Sequence, residues 1–137
     1  MAALWRYPVK SLAGERLTLA DLREDGIRGD RIVRVRGPEG VRTSRRQYRL
    51  LGLHGTLDPH GRPHVDGHLW NTPAALALVR HAAGADAWLE PWEDVDRFDI
   101  LPLLVATDGA VAAFGRDVRR LRPNIVMGGV DGLAERE

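Results

Sequence analysis

Twenty of the 137 residues are Lys or Arg, and only one of them, Lys10, is Lys. Where Arg fills nearly every basic position, a retained Lys points to a place that wants a compact, deprotonatable ammonium. A planar guanidinium keeps its proton and is a poor substitute there. Lys10 falls in the phrase Tyr7-Pro8-Val9-Lys10-Ser11, and a second compact phrase, Leu121-Arg122-Pro123-Asn124-Ile125-Val126, comes late in the chain. Both read as strand ends carrying anion-binding groups, and Arg31 opens a further strand after the Gly29-Asp30 turn. Two guanidiniums and an ammonium converging from separate strand ends would hold a phosphate or sulfate through charge-assisted hydrogen bonds, bidentate from the arginines. Ser11 stands beside Lys10, just after the Pro-broken strand, and the Asn124 amide both donates and accepts, which suits a heterocycle edge. Purely structural roles compete: Arg31 pairing with a nearby Asp, and Arg122 with Asp117. Lys10 could alternatively carry pyridoxal phosphate as a Schiff base.

The elements that must position these groups are short. Residues 2–6 read as a first strand stopped by Pro8, which cannot donate to a ladder. Residues 15–17 suit a second strand, and Thr18 suits the cap of a helical turn over residues 19–24. Residues 30–36 alternate apolar and charged side chains with the period of a half-buried strand, and Gly37-Pro38-Glu39-Gly40 turns the chain back into residues 41–43. Residues 50–57 are expected as a strand. Thr72, Pro73 and Gly84 bracket the clearest helix. Strands are expected over residues 87–92, 101–106 and 124–127, with a short helix capped by Thr107. The free N–H groups of that helix could bind an anion, although capping alone accounts for Thr107. The pattern implies a mainly β (α+β) chain: a small β-barrel or sandwich with two or three short helices packed on it.

Composition narrows the function. Apolar content of 44% with 28% charged residues describes a globular domain, and a formal net charge of +1 lends nucleic-acid binding no support. Arg42, Arg45, Arg46 and Arg49 around Tyr48 read as a solvated strand edge. No cysteine is present, so disulfides and thiolate ligands are excluded, in keeping with a cytoplasmic setting. No apolar run reaches a membrane span, and no signal peptide is apparent. His54, His60, His64 and His68 cross two expected turns without a carboxylate set, which disfavours a metal site.

Tyr7-Pro8-Val9-Lys10-Ser11, Gly29-Asp30-Arg31 and Thr43-Ser44-Arg45 together resemble the N-terminal β-barrel domain of MOSC proteins, the molybdenum cofactor sulfurase C-terminal domain group. Phe98-Asp99-Ile100-Leu101-Pro102-Leu103, Val105-Ala106-Thr107 and Arg122-Pro123-Asn124-Ile125-Val126 resemble the opening half of the MOSC domain itself. The resemblance implies an N-terminal barrel-like domain over residues 1–85 and an incomplete second barrel over residues 86–137. It also implies a molybdopterin-type cofactor held at Lys10, Ser11, Arg31, Arg122 and Asn124, and a link to oxidoreductase or sulfur-carrier chemistry. The family's molybdenum-ligating cysteine has no counterpart here, so activity is expected to be lost. By the same resemblance the last strands of the family barrel are expected to be absent. The strand at residues 124–127 is therefore expected to leave an open edge: either the chain is a fragment, or it is a non-catalytic interaction module completed by a partner strand or a second copy, or it has settled into a smaller fold.

Overall fold

The alternation of valine and arginine after Asp30 builds β5, Val33–Gly37, whose residues are alternately buried and half-buried. Val33 and Val35 enter the core while Arg34 and Arg36 lie on the other face. The computed structural model describes residues 3–20, 22–23, 26–92, 104–107, 109, 112 and 122–128. β5 pairs antiparallel with β6 (Gly40–Val41) across the expected turn, and with β10 (Trp88–Pro91), Val35 opposite Leu89 and Arg34 opposite Glu90.

The helix α1 (Pro73–Ala83) forms where the sequence places it. The Thr72 hydroxyl accepts the Ala75 N–H at 3.4 Å and donates to the Leu69 carbonyl at 2.6 Å, and Gly84 ends the helix at φ 112°. Ala75, Val79 and Ala83 fall four residues apart on one stripe, which joins Val9, Leu12, Val33, Val35, Leu50 and Val65 in the core. A three-stranded sheet of β7 (Gly55–Leu57), β8 (Pro63–Val65) and β9 (His68–Leu69) adds Val65 to that core.

The sheet nearest the chain's distant phrases has the order β11-β12-β1-β2, from Val105–Thr107, Ile125–Met127, Ala3–Arg6 and Glu15–Leu17. β12 pairs antiparallel with β1 and parallel with β11, so both its edges are satisfied. The open edge expected at residues 124–127 is therefore corrected: β12 is interior, and β11 is the outer strand on that side among the described residues.

Other expectations change as well. The helical turn expected over residues 19–24 is replaced by a hairpin of β3 (Leu22–Arg23) with β4 (Gly26–Ile27). Gly26 takes φ 101°, and burial of Ile27 outweighs the weak local helix signal. The strand expected at residues 50–57 begins only at Gly55, because residues before it form a 3-10 turn, Tyr48–Gly52, that drives Leu50 into the core. The mainly β class holds, but the described strands form small sheets and no closed barrel. Residues 101–103 of the strand expected over 101–106 lie outside the described residues, and of the helix expected after Thr107 only residues 109 and 112 are described. Strands beyond residue 85 pair directly with strands before it, β10 with β5 and β12 with β1.

Removing a fully buried side chain should cost far more than removing the cap. Leu50→Ala is expected to lower stability by about 2–5 kcal/mol and Thr72→Ala by about 1 kcal/mol, measured by urea unfolding.

Candidate anion-binding site

Pro8 ends the pairing of β1, and the chain beyond it zips onto the residues that lead into β5. The Tyr7 carbonyl accepts the Arg31 N–H at 2.5 Å, Pro8 accepts Ile32 at 3.0 Å, and Val33 in turn accepts the Lys10 N–H at 2.8 Å. A parallel bridge between Val9 and Val33 completes the ladder. Lys10 and Arg31, far apart in sequence, thus sit on adjoining backbone. β12 brings the late phrase to the same end of β1: Trp5 N–H donates to the Asn124 carbonyl at 2.7 Å, and the Tyr7 hydroxyl donates to the Pro123 carbonyl at 2.9 Å.

Tyr7, only 3% exposed, is the hub. The Arg122 guanidinium lies 4.4 Å and that of Arg31 4.9 Å from its ring centroid, both within cation–π range. Burial pushes the phenol pKa up to about 12; the positive Arg122 and Arg31 oppose that rise and Asp30 adds to it. Tyr7 therefore stays a neutral donor. Fully buried Asp30 accepts the Tyr7 N–H at 2.7 Å through one oxygen and pairs with Arg31 through the other. The Asp partner considered for Arg31 is thus present, whereas Asp117 lies outside the described residues. Arg122 also donates to the Leu12 carbonyl.

Backbone conformation singles out the same residues. Among the described non-glycine residues, Ser11 (φ 78°), Arg31 (φ 51°), Arg122 (φ 56°) and Asp66 have positive φ. Asp66 sits in the β8–β9 hairpin turn; the other three are candidate site residues. Such conformations cost on the order of 1–3 kcal/mol each and cluster where geometry serves a ligand. Ser11 is buried, and no hydrogen bond to its hydroxyl is seen among the described residues.

Two candidates behave differently. Asn124 is fully buried with both ends of its amide committed within the chain: its NH2 donates to the Trp5 carbonyl at 3.2 Å, and its oxygen accepts the Leu104 N–H at 3.1 Å and Arg31 at 3.5 Å. It braces Arg31 and ties β12 between its neighbours. Lys10 belongs to a second aromatic centre. Its ammonium lies 4.6 Å from the Trp92 ring centroid, and the Arg34 guanidinium lies 4.7 Å from the same centroid. Arg34 is held by Glu90 at 2.5 Å, which also takes Arg36 at 3.5 Å and the Trp88 indole N–H at 3.3 Å. Partial burial opposes ionisation of Glu90, but the bonds from Arg34 and Trp88 outweigh it and hold the carboxyl below its ordinary range. Sequence reasoning named the cations and missed Tyr7, Asp30 and Trp92. The available signal was Tyr7 within the Lys10 phrase and Asp30 next to Arg31; Trp92 lies in neither cationic phrase and gave none.

The remaining candidates are accounted for locally. His64 bonds Asp58 at 2.9 Å; hydrogen bonds from the Arg62 backbone and from His64 hold that carboxyl well below its usual range. No group of three metal-ligating side chains occurs among the described residues. Arg42 pairs with Asp86 at 2.5 Å and Glu39 at 3.2 Å, and Thr107 is buried in β11. Among the described residues no helix is long and apolar enough to cross a membrane.

The family model of the MOSC N-terminal beta barrel domain matches residues 1–83, and the chain belongs to that family. No curated protein matches the chain. The match covers Tyr7, Lys10, Ser11 and Arg31; Trp92, Arg122 and Asn124 lie beyond it.

The raised phenol pKa carries a signed consequence. An unfolded Tyr ionises near pH 10, and the folded one near 12, so Tyr7's contribution is complete below pH 10 and lost as pH rises through 12. The loss should amount to on the order of 2–3 kcal/mol, seen by denaturant unfolding across that window, and should disappear in Tyr7→Phe.

Proposed function

We propose that this chain binds the phosphate of a molybdopterin-type cofactor, using Arg31, Arg122, Lys10 and Ser11. The observation that carries the reading is the convergence of the Arg31 and Arg122 guanidiniums on the Tyr7 ring, with left-handed backbone at Ser11, Arg31 and Arg122. The donor set fits such a group. Guanidinium, ammonium and hydroxyl all offer protons to hydrogen bonds, and a phosphate is an oxyanion rich in acceptors. The hydroxyl of Ser11, a residue only 4% exposed that follows Lys10 in the chain, is suited to donate into the same oxyanion.

In this reading Arg31 and Arg122 present their forks to the phosphate while Tyr7 fixes their planes. Asp30 anchors Arg31 from behind, and Asn124 braces it from β12, so Asn124 positions a contact without making one. Lys10 adds a third positive charge from the neighbouring Trp92 centre. When bound, the cofactor would supply metal-centred redox or sulfur-transfer chemistry. These 137 residues contain no cysteine with which to ligate molybdenum through a thiolate, so binding is the role proposed for them.

The test is a titration with molybdopterin released from a carrier protein, followed by pterin fluorescence. Replacing two charge-assisted donors, Lys10→Ala with Arg122→Ala, should weaken binding on the order of a hundredfold or more while a cooperative thermal melt is retained. Arg122→Lys, which keeps the charge and loses the fork, should fall between. Affinity unchanged in the double variant removes the site.

A further inference from the structure

We propose that Trp92 is a positioning residue for this site: its indole ring holds the Lys10 ammonium where the bound anion needs it. The inference rests on the phosphate-binding reading above and adds a residue beyond the stretch that matches the family, residues 1–83. A lysine ammonium ends a flexible four-carbon stem, so its main-chain anchor alone does not fix where the charge sits. Here the main chain is pinned, Lys10 N–H to the Val33 carbonyl at 2.8 Å, and the charge is pinned separately, 4.6 Å from the Trp92 ring centroid.

The ring is itself well fixed. Trp92 is 7% exposed, and its backbone N–H donates to the Ile32 carbonyl at 2.7 Å. Pro91 stands opposite Val33 in the β10–β5 ladder. The segment Ile32–Val33 therefore bonds the backbone of Lys10 on one side and that of Trp92 on the other, which brings the two backbones within reach of one another. Arg34 shares the ring at 4.7 Å and is held in turn by Glu90 at 2.5 Å, a second restraint on the indole. Of the aromatic side chains, indole attracts cations most strongly. The Tyr7 ring holds Arg31 and Arg122 by the same physics.

Because Lys10 is the sole lysine, acylation by an amine-reactive ester, followed by peptide mass, reports on it directly, with the N-terminal amine as internal reference. In the ligand-free protein, Trp92→Leu should raise the Lys10 acylation rate severalfold, Trp92→Phe should raise it less, and the reference rate should not move. Equal Lys10 rates in wild type and Trp92→Leu overturn the inference. If Trp92→Leu does not fold, Trp92→Phe, which keeps a weaker ring, carries the comparison. In molybdopterin titrations Trp92→Leu should weaken binding roughly three- to thirtyfold, and should have no further effect when added to Lys10→Ala. Equal weakening in both backgrounds marks a merely structural role and also overturns it. If Lys10→Ala leaves affinity unchanged, the phosphate reading fails instead, and acylation still decides the role of Trp92.

Discussion

Two guanidiniums from opposite ends of the chain pack on one buried phenol ring, and the rest of the arrangement follows from that contact. Arg31 and Arg122 would repel each other in isolation. Tyr7 gives both an attractive face, and its backbone N–H recruits Asp30, which pairs with Arg31. The tyrosine hydroxyl fixes the turn that carries Arg122 by bonding the Pro123 carbonyl. Tyr7 thus joins three chain segments through its ring, its hydroxyl and its backbone.

Space for that ring is itself specified. Gly14 approaches so closely that a Cβ there would come within 2.6 Å of Tyr7 Cδ1. Pro8 matters equally, because the strand that delivers Tyr7 must stop pairing in one ladder and begin another. The switch puts Lys10 beside Val33, next to the Trp92 centre. Fold and site are therefore one problem: the interruption that breaks β1 also sets the backbones of Lys10 and Arg31 on adjoining segments.

Local signals in the sequence carried α1 and β5 well. Thr72, Pro73 and Gly84 mark the helix within a dozen residues of chain, and the Val/Arg alternation of β5 is a period of two. The hairpin at Leu22–Ile27 was not legible, since the burial of Ile27 that accompanies its pairing leaves no periodic pattern in so short a segment. The interior position of β12 was hidden because it depends on partners at residues 3–4 and 105–107. At the site, the cationic residue types were legible and their grouping was not. Arg122 meets Tyr7 across almost the whole length of the chain, and Lys10 meets Trp92 across much of it, so no local spacing encodes either contact. Asn124 is expected as a ligand contact because amides suit heterocycles; its amide also bonds the Leu104 N–H and the Trp5 carbonyl on either side of β12, which local sequence does not reveal.

The most direct measurement is a crystal structure of the protein grown with inorganic phosphate. The account predicts a phosphate bonded by both the Arg31 and Arg122 guanidiniums, with the Tyr7 ring against the two and the Ser11 hydroxyl turned toward the anion. A phosphate bound elsewhere, or the two guanidiniums parted from Tyr7 and facing separate solvent, would contradict it.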